Sequence, residues 1–385
     1  MLNFDLHNPT RIIFGAETVA RIDELVPSNA RVLILYGGDS ARRTGTLDEV
    51  QAALGKRTVF EFGGIEPNPS YETLMKAVEL IRKEKLDFLM AVGGGSVIDG
   101  TKFVAAAVGY EGEPWEFMEN HGATVRHAIP FGTVLTLPAT GSEMNRGSVI
   151  TKKATQAKLV FASPHVYPRF SVLDPTKTYT LPPQQLANGV VDAFTHVMEQ
   201  YLTYPVDAKV QDRFAEGLLQ TLVEIGPQVL AEKTNYDVRA NLMWTATLAL
   251  NGLIAAGVPE DWSTHMIGHE LTALHDIDHA RTLAIVLPAN LQVRREAKRA
   301  KLLQYAERVW NIHNGSEDER IDAAIARTRT FFESMGVPTR LGDYGIAARH
   351  IERVIEQLDA HGMTMLGERQ DVTLEVSRKV LEAAL

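Results

Sequence analysis

The sequence has 385 residues, of which 45% are hydrophobic and 23% charged, with a formal net charge of -9 and no Cys. Apolar residues at that level, spread along the chain rather than gathered in blocks, exclude an intrinsically disordered, collagenous or coiled-coil protein. The lack of Cys excludes a disulfide scaffold, a thiolate metal site, an iron–sulfur cluster and a Cys nucleophile, so any metal needs His, Asp or Glu.

Since a single core stops growing at about 250 to 300 residues, this length predicts two domains. The acidic balance argues against nucleic acid, whose affinity comes largely from Lys and Arg neutralising phosphates. No stretch approaches the roughly 20 apolar residues of a membrane span. The opening MLNFDLHNPTRIIFG places Asp5 ahead of any apolar run and has no basic region, so no signal peptide is expected and the protein reads as cytoplasmic. LPATG at Leu137 to Gly141 matches a cell-wall sorting signal, but it lies mid-chain with neither leader nor hydrophobic anchor and is set aside.

The first 180 residues hold 17 of the 29 Gly and alternate short β-branched runs with helical patterns, an α/β texture. RVLILY at Arg31 to Tyr36 reads as a buried strand followed by Gly37 and Gly38. Tyr71 to Lys83 carries Leu74, Ala77, Val78 and Ile81 at helical spacing and makes a natural crossover. FLMAV at Phe88 to Val92 reads as a second strand, followed by Gly93, Gly94 and Gly95, and TVLTL at Thr133 to Leu137 as a third that runs into ATGSE. From Leu181 onward apolar residues recur every three or four positions. Helices are expected over Leu186 to Leu202, Ala208 to Val223, Val238 to Ala255, Arg299 to Trp310, Glu319 to Met335 and His350 to Leu358, with Gly226-Pro227, Gly257 to Pro259 and Gly336 to Pro338 as punctuation. The expected division is 1–180 as an α/β domain and 181–385 as an all-helical domain, closely packed with a cleft between them.

GGGSVIDG at Gly93 to Gly100 follows a strand and opens a helix. A helix N-terminus offers unpaired N–H groups and partial positive charge, and glycines clear the side chains that would keep a diphosphate away. A plain tight turn is the alternative, because Ile98 breaks the G-x-G-x-x-G spacing. Tyr36-Gly37-Gly38-Asp39-Ser40 sits at the carboxyl end of a strand, where open α/β sheets bind ligands. An acid there accepts hydrogen bonds from ribose hydroxyls and repels a 2′-phosphate, so Asp39 favours NAD over NADP. Asp39 or Ser40 could instead only cap the next helix, and Arg42 and Arg43 could attract a phosphate or be plain surface charges.

Asp192 and His196 are four apart on a helical pattern, and His265 and His269 repeat that spacing, so each pair shares a helix face. His275 and His279 follow, so that five of the 12 His lie between positions 196 and 279. Carboxylate plus imidazole suits iron(II) or zinc and leaves room for a substrate oxygen. Spacing alone does not say which histidines bind. HELTA lacks the second His of H-E-x-x-H, so a zincin protease is not expected. Asp99 and Glu143 are caps or ligand contacts.

These residues resemble the iron-dependent (group III) alcohol dehydrogenases, in particular the branch of NADPH-dependent broad-range aldehyde reductases and butanol dehydrogenases. FGGIEPNPSYETL, AVGGGSVIDGTKF, TLPATGSEMN, VLDPTKTYTLPP, NGVVDAFTHVMEQY, DWSTHMIGHELTALH and KRAKLLQYAERVW all fall in family order. The resemblance implies an α/β N-terminal dinucleotide-binding domain plus an all-α C-terminal domain, the architecture shared with dehydroquinate synthase. It further implies a catalytic divalent metal, Fe(II) or Zn(II), in the cleft, an NAD(P) cofactor and a homodimer acting on small aldehydes or alcohols. Carried over by position, the metal ligands are Asp192, His196, His265 and His279, while His269 sits near the nicotinamide and substrate as a proton-relay candidate. The diphosphate lies over Gly94, Gly95 and Ser96, with Asp99, Thr136, Thr140, Asn145, Lys158 and Thr180 along the cofactor. Asn68 faces the adenine side, with Gly38, Asp39 and Ser40 at the first turn.

The chain departs from the branch in two places. Where the branch has G-G-G-S, this chain has Gly37-Gly38-Asp39-Ser40, which opposes an NADPH preference by charge. Where the last ligand usually stands in P-H-G, this chain reads Asp278-His279-Ala280. Two other classes share part of this pattern. A dehydroquinate-synthase-like metal- and NAD-dependent lyase needs several Lys and Arg for an anionic substrate, and the stretches around Asp192 and His265 are poor in them. A non-catalytic nucleotide or metal sensor would keep the GGGS turn but need no open metal position.

Overall fold

The computed structural model describes all residues, 1–385. The chain divides into two compact units, one of His7–Leu181 with Lys233–Thr247 and the other of Met1–Leu6 with Pro182–Glu232 and Leu248–Leu385.

The first unit is built on a six-stranded sheet whose paired strands all run parallel. In chain order it contains β1 (Arg11–Phe14), α1 (Ile22–Leu25), β2 (Arg31–Tyr36), α2 (Ser40–Arg43), α3 (Thr46–Leu54), β3 (Thr58–Phe62) and α4 (Tyr71–Glu84). β4 (Phe88–Gly94), α5 (Gly95–Ala107), α6 (Glu116–Glu119), β5 (Phe131–Leu137), β6 (Gly147–Lys152), β7 (Ala157–Ala162) and β8 (Phe170–Leu173) follow. β6 and β7 form a separate antiparallel pair.

The apolar runs of the strands bury both faces of the sheet, as parallel sheets require. Leu33, Leu35, Leu89 and Ala91 belong to the core on one face with α4 and α5. Val32, Ile34, Met90 and Val92 belong to the core on the other, with α3. Alternation of period two along β2 and β4 thus assigns each residue to its layer.

Strand order is β1-β8-β5-β4-β2-β3. The chain leaves β2 for β3 on one side and returns past β2 to β4 on the other, so the order reverses between β2 and β4. Ligands of open α/β sheets bind outside the carboxyl ends of strands at such a reversal. The turns that follow these two strands are Gly37 to Ser40 and Gly94 to Ser96.

The second unit is helical apart from one small strand pair. It contains α7 (Pro183–Tyr201), α8 (Lys209–Ala231), the end of α9 (Tyr236–Ala249), α10 (Ser263–His275), α11 (His279–Val293), α12 (Arg299–Arg308), α13 (Glu317–Ser334), α14 (Ile351–Ala360), the antiparallel pair β9 (Met365–Leu366) and β10 (Val372–Thr373), and α15 (Leu374–Ala383). Most of α9 belongs to the first unit, where Met243 joins the core beneath the sheet and Thr247 Oγ1 donates to Glu143 Oε1 at 2.6 Å.

Several expected boundaries move. Gly226-Pro227 does not interrupt a helix, since α8 runs through Pro227 to Ala231. Gly226 serves close packing instead, because a Cβ there would lie 3.0 Å from Met335 Sδ and 3.1 Å from the Phe331 ring. α9 stops at Ala249, short of the expected Ala255, ahead of Gly252 at φ 90°. α10 and α11, which carry four of the clustered histidines, lie outside the helices expected from periodicity because both are buried on most sides and show no clean apolar stripe.

Candidate metal centre and dinucleotide-binding turns

α7 presents Asp192 and His196 one turn apart, both buried. α10 supplies His265 and His269, and α11 opens on His279. Ligand atoms of Asp192, His265 and His279 lie within 4.8 Å of one another. His196 lies beside these three, with Nε2 3.7 Å from Asp192 Oδ1 and its ring stacked on His265 at 4.7 Å and 20°. His279 Nε2 lies 3.8 Å from the same Asp192 oxygen. Ligands with arms of about 2.1 Å on a tetrahedral ion stand about 3.4 Å apart. One carboxylate and imidazoles at these spacings therefore fit a divalent ion such as Fe(II) or Zn(II).

The His269 ring is centred 5.1 Å from that of His279 and 6.3 Å from that of His265, so it borders the group. His275, by contrast, points to another neighbour, its ring 5.7 Å from His350, and burial lowers its pKa.

The departure at Asp278 has a structural account. Its φ of −50° and ψ of 135° suit the Pro of the family pattern. Its Oδ2 accepts from Gln184 Nε2 and Asn188 Nδ2 of α7, each at 3.0 Å. The first residue of α11, His279, is thereby tied to the helix that carries Asp192 and His196.

Two features of this centre were not read from the sequence. Glu199 sits on α7, three residues beyond His196 and seven beyond Asp192, and its position on the same helical face was the available signal. It is 3% exposed and hydrogen-bonds His265 Nδ1. Burial and the nearby Asp261 push its carboxyl well up, against hydrogen bonds from Thr264 and His265. Trp262, in the left-handed region at φ 61°, turns its ring edge-on to His265 at 5.2 Å and His196 at 6.2 Å.

In the first unit, α5 starts directly on β4 with Gly94 as N-cap and no side chain capping its first-turn N–H groups. The turn is pressed against the end of β5 and the loop beyond it. A Cβ on Gly94 would stand 3.1 Å from Leu137 Cβ, and one on Gly95 only 2.4 Å from Thr140 Oγ1. Thr140 cannot simply rotate away, because its Oγ1 accepts from Ser142 N at 3.2 Å. Gly95→Ala is therefore expected to cost about 1–3 kcal/mol of stability, read as a lower midpoint of thermal unfolding, and to weaken dinucleotide binding in a fluorescence titration. Unchanged values would mean that the turn yields freely.

Of the other expected cofactor residues, Asp99 and Asn145 make polar contacts beside this turn. Asp99 hydrogen-bonds Ser142 Oγ and accepts from Val149 N at 2.9 Å, while burial raises its pKa. Asn145 Oδ1 accepts from the buried Lys102 Nζ at 2.8 Å and from Gly147 N at 3.0 Å. Burial brings Lys102 down to about 8, against the pull of Asp99 and Glu143. Lys158 Nζ donates to Asn68 Oδ1 at 2.9 Å, with Asn68 held at φ 56°. Ser96 and Thr136 are half-buried, and Thr180 is exposed two residues after the 3-10 turn Pro175–Thr178.

Gly38, Asp39 and Ser40 are exposed at the carboxyl end of β2. The Asp39 side chain does not cap α2. Arg42 is engaged elsewhere, paired with Glu61, donating to Tyr36 Oη at 2.9 Å and lying 5.5 Å from the centre of the Tyr36 ring.

The chain matches the description "Iron-containing alcohol dehydrogenase" over residues 9–175 and "Fe-containing alcohol dehydrogenase family, C-terminal" over residues 186–378. It belongs to the iron-containing alcohol dehydrogenase family. It is 63% identical to the NADPH-dependent aldehyde reductase YqhD of Escherichia coli (strain K12), covering 100% of both chains. It is 41% identical to a probable NADH-dependent butanol dehydrogenase 1 of Bacillus subtilis (strain 168), again over 100% of both. Among solved structures, it superposes on NADH-dependent butanol dehydrogenase A from Thermotoga maritima with a TM-score of 0.95 at 34% identity, covering 100% of this chain and 99% of that one. These relatives are oxidoreductases, which favours the dehydrogenase reading over the lyase and sensor readings.

Proposed function

We propose that the protein is a metal-dependent, NAD(P)-linked aldehyde reductase and alcohol dehydrogenase that moves hydride between nicotinamide and short- to medium-chain aldehydes or their primary alcohols. The convergence of Asp192, His265 and His279 within 4.8 Å carries this reading. Asp192, His196, His265 and His279 would hold the ion. When bound, the ion supplies Lewis-acid polarisation of a carbonyl oxygen, and dihydronicotinamide supplies the hydride.

The chain's own residues supply the remaining functions. Asp192 brings the one negative charge of the ligand set and offsets part of the ion's charge. Trp262 covers the edges of His196 and His265 and limits water there. His269, 3% exposed, passes a proton from its ring nitrogen to the product oxygen. In the first unit, Gly94, Gly95 and Ser96 leave the first-turn N–H groups of α5 open to a diphosphate. Asp99, Thr136, Thr140, Asn145, Lys158 and Thr180 lie along the cofactor, with Asn68 on the adenine side. Asp39 favours NADH over NADPH. The reading extends to a cytoplasmic homodimer, to be checked by light scattering at twice the chain mass; no helix is long and apolar enough to cross a membrane.

The test is the initial rate of butyraldehyde reduction with NADPH and with NADH, on protein stripped of metal and reloaded with Fe(II) or Zn(II). Metal-dependent oxidation of reduced cofactor with equimolar butanol is expected. No turnover with either metal would overturn the assignment.

A further inference from the structure

Four hydrogen bonds converge on one buried residue of α7. Glu199 Oε1 accepts from Thr264 N at 2.7 Å, and Oε2 accepts from His265 N at 3.1 Å and also meets His265 Nδ1. The main-chain oxygen of Glu199 accepts from Asp261 N at 2.9 Å. α10 has no capping side chain of its own, because its N-cap is Trp262. Glu199 therefore satisfies first-turn N–H groups of α10 from another helix, where the helix end favours negative charge. The approach to α10 is pinned as well, with Asp261 Oδ1 accepting from Ser263 N at 3.0 Å and Asp261 Oδ2 paired with the buried Lys298 at 2.7 Å.

The structure places Nδ1 of His265 on the carboxyl group of Glu199. Both oxygens of Glu199 accept main-chain N–H groups, which favours the ionised form against its burial, and a carboxylate accepts and cannot donate, so the nitrogen facing it carries the proton. That leaves Nε2 of His265 with its lone pair, the form an imidazole needs to ligate a metal.

We infer that Glu199 is a positioning residue for the metal centre: it accepts a hydrogen bond from the protonated Nδ1 of His265, fixes the ring's tautomer and rotation, and so presents Nε2 to the ion. The inference rests on the proposed metal site and names a residue that acts through a ligand without touching the ion. Glu199→Gln is the informative change. The amide oxygen can still accept one N–H of α10, but the NH₂ group then faces His265 Nδ1. An NH₂ there favours an unprotonated Nδ1 and drives the ring proton to Nε2, the wrong nitrogen for ligation.

The experiment measures Co(II) and Zn(II) affinity by chelator competition, together with the visible Co(II) spectrum. It is run on the wild type, Glu199→Gln, Glu199→Asp, His265→Ala and the double variant Glu199→Gln/His265→Ala. Orienting carboxylates of this kind are worth about 10–100-fold in metal affinity. A loss of that size is expected in Glu199→Gln with an altered Co(II) spectrum and partial recovery in Glu199→Asp. In the His265→Ala background the Gln change should have no further effect, because the group it acts through is gone. Equal affinity in the wild type and Glu199→Gln, or the same loss with and without His265, would overturn the inference and leave the metal site standing. A wild type that binds no metal would overturn the site itself. Unfolding of the metal-free variants, followed by circular dichroism, separates lost capping of α10 from lost ligation.

Discussion

Asp192→Ala is expected to lower kcat/KM for aldehyde reduction by about a thousandfold and to leave purified protein with little bound metal. Lewis-acid stabilisation by an ion is worth several kcal/mol of the barrier, and each 1.36 kcal/mol is about tenfold in rate. Asp192 is the shared neighbour of the group, its Oδ1 lying 3.7 Å from His196 Nε2 and 3.8 Å from His279 Nε2. It is also the only anion in the set, so its loss removes a ligand and a compensating charge together. Ala favours helix, so α7 itself should persist. The check is metal content by mass spectrometry alongside steady-state kinetics, with far-ultraviolet circular dichroism to confirm the fold. Activity within tenfold of wild type would mean that the remaining histidines hold the ion alone or that the chemistry needs none.

The second large effect concerns the cofactor. Asp39→Gly should raise the ratio of NADPH to NADH kcat/KM by about 10- to 100-fold, since like charges near a surface repel by roughly 1–4 kcal/mol at 4 Å. Asp39 stands exposed at the carboxyl end of β2 and caps nothing, so its carboxylate is available to meet a ribose. Of the two neighbouring cations, Arg42 is occupied with Glu61 and Tyr36. Because the interaction is exposed, the discrimination should weaken as salt is raised. The ratio is obtained from initial rates with both cofactors at fixed aldehyde and fixed metal. A ratio that does not move would show that this turn does not face the 2′ position.

Much of the first unit was legible because its signal is local. β2, β4 and β5 are short apolar runs, the first two leading straight into glycines, and α4 has a clean apolar stripe between Ser70, whose Oγ accepts from Thr73 N, and Lys85 in the left-handed region. The reversal of strand order between β2 and β4 is a property of the whole sheet that no window of sequence contains. In the second unit the i, i+4 pairs announced two helix faces. That α7, α10 and α11 bring those faces together is a matter of tertiary packing. Gly226-Pro227 misled because the same two residues that break an isolated helix are tolerated where Phe331 and Met335 pack closely against it. Glu199 and Arg42 show the same limit at the level of a side chain: their types and spacing were visible, but their partners were not.

Whether turnover depends on an ion held by Asp192, His196, His265 and His279 is decided by anaerobic titration of metal-free protein with Fe(II). Bound metal and butyraldehyde reduction are followed in the same samples. The prediction is activity that rises in proportion to bound metal and levels off at a single ion per chain. Full activity in samples that hold no metal would contradict it.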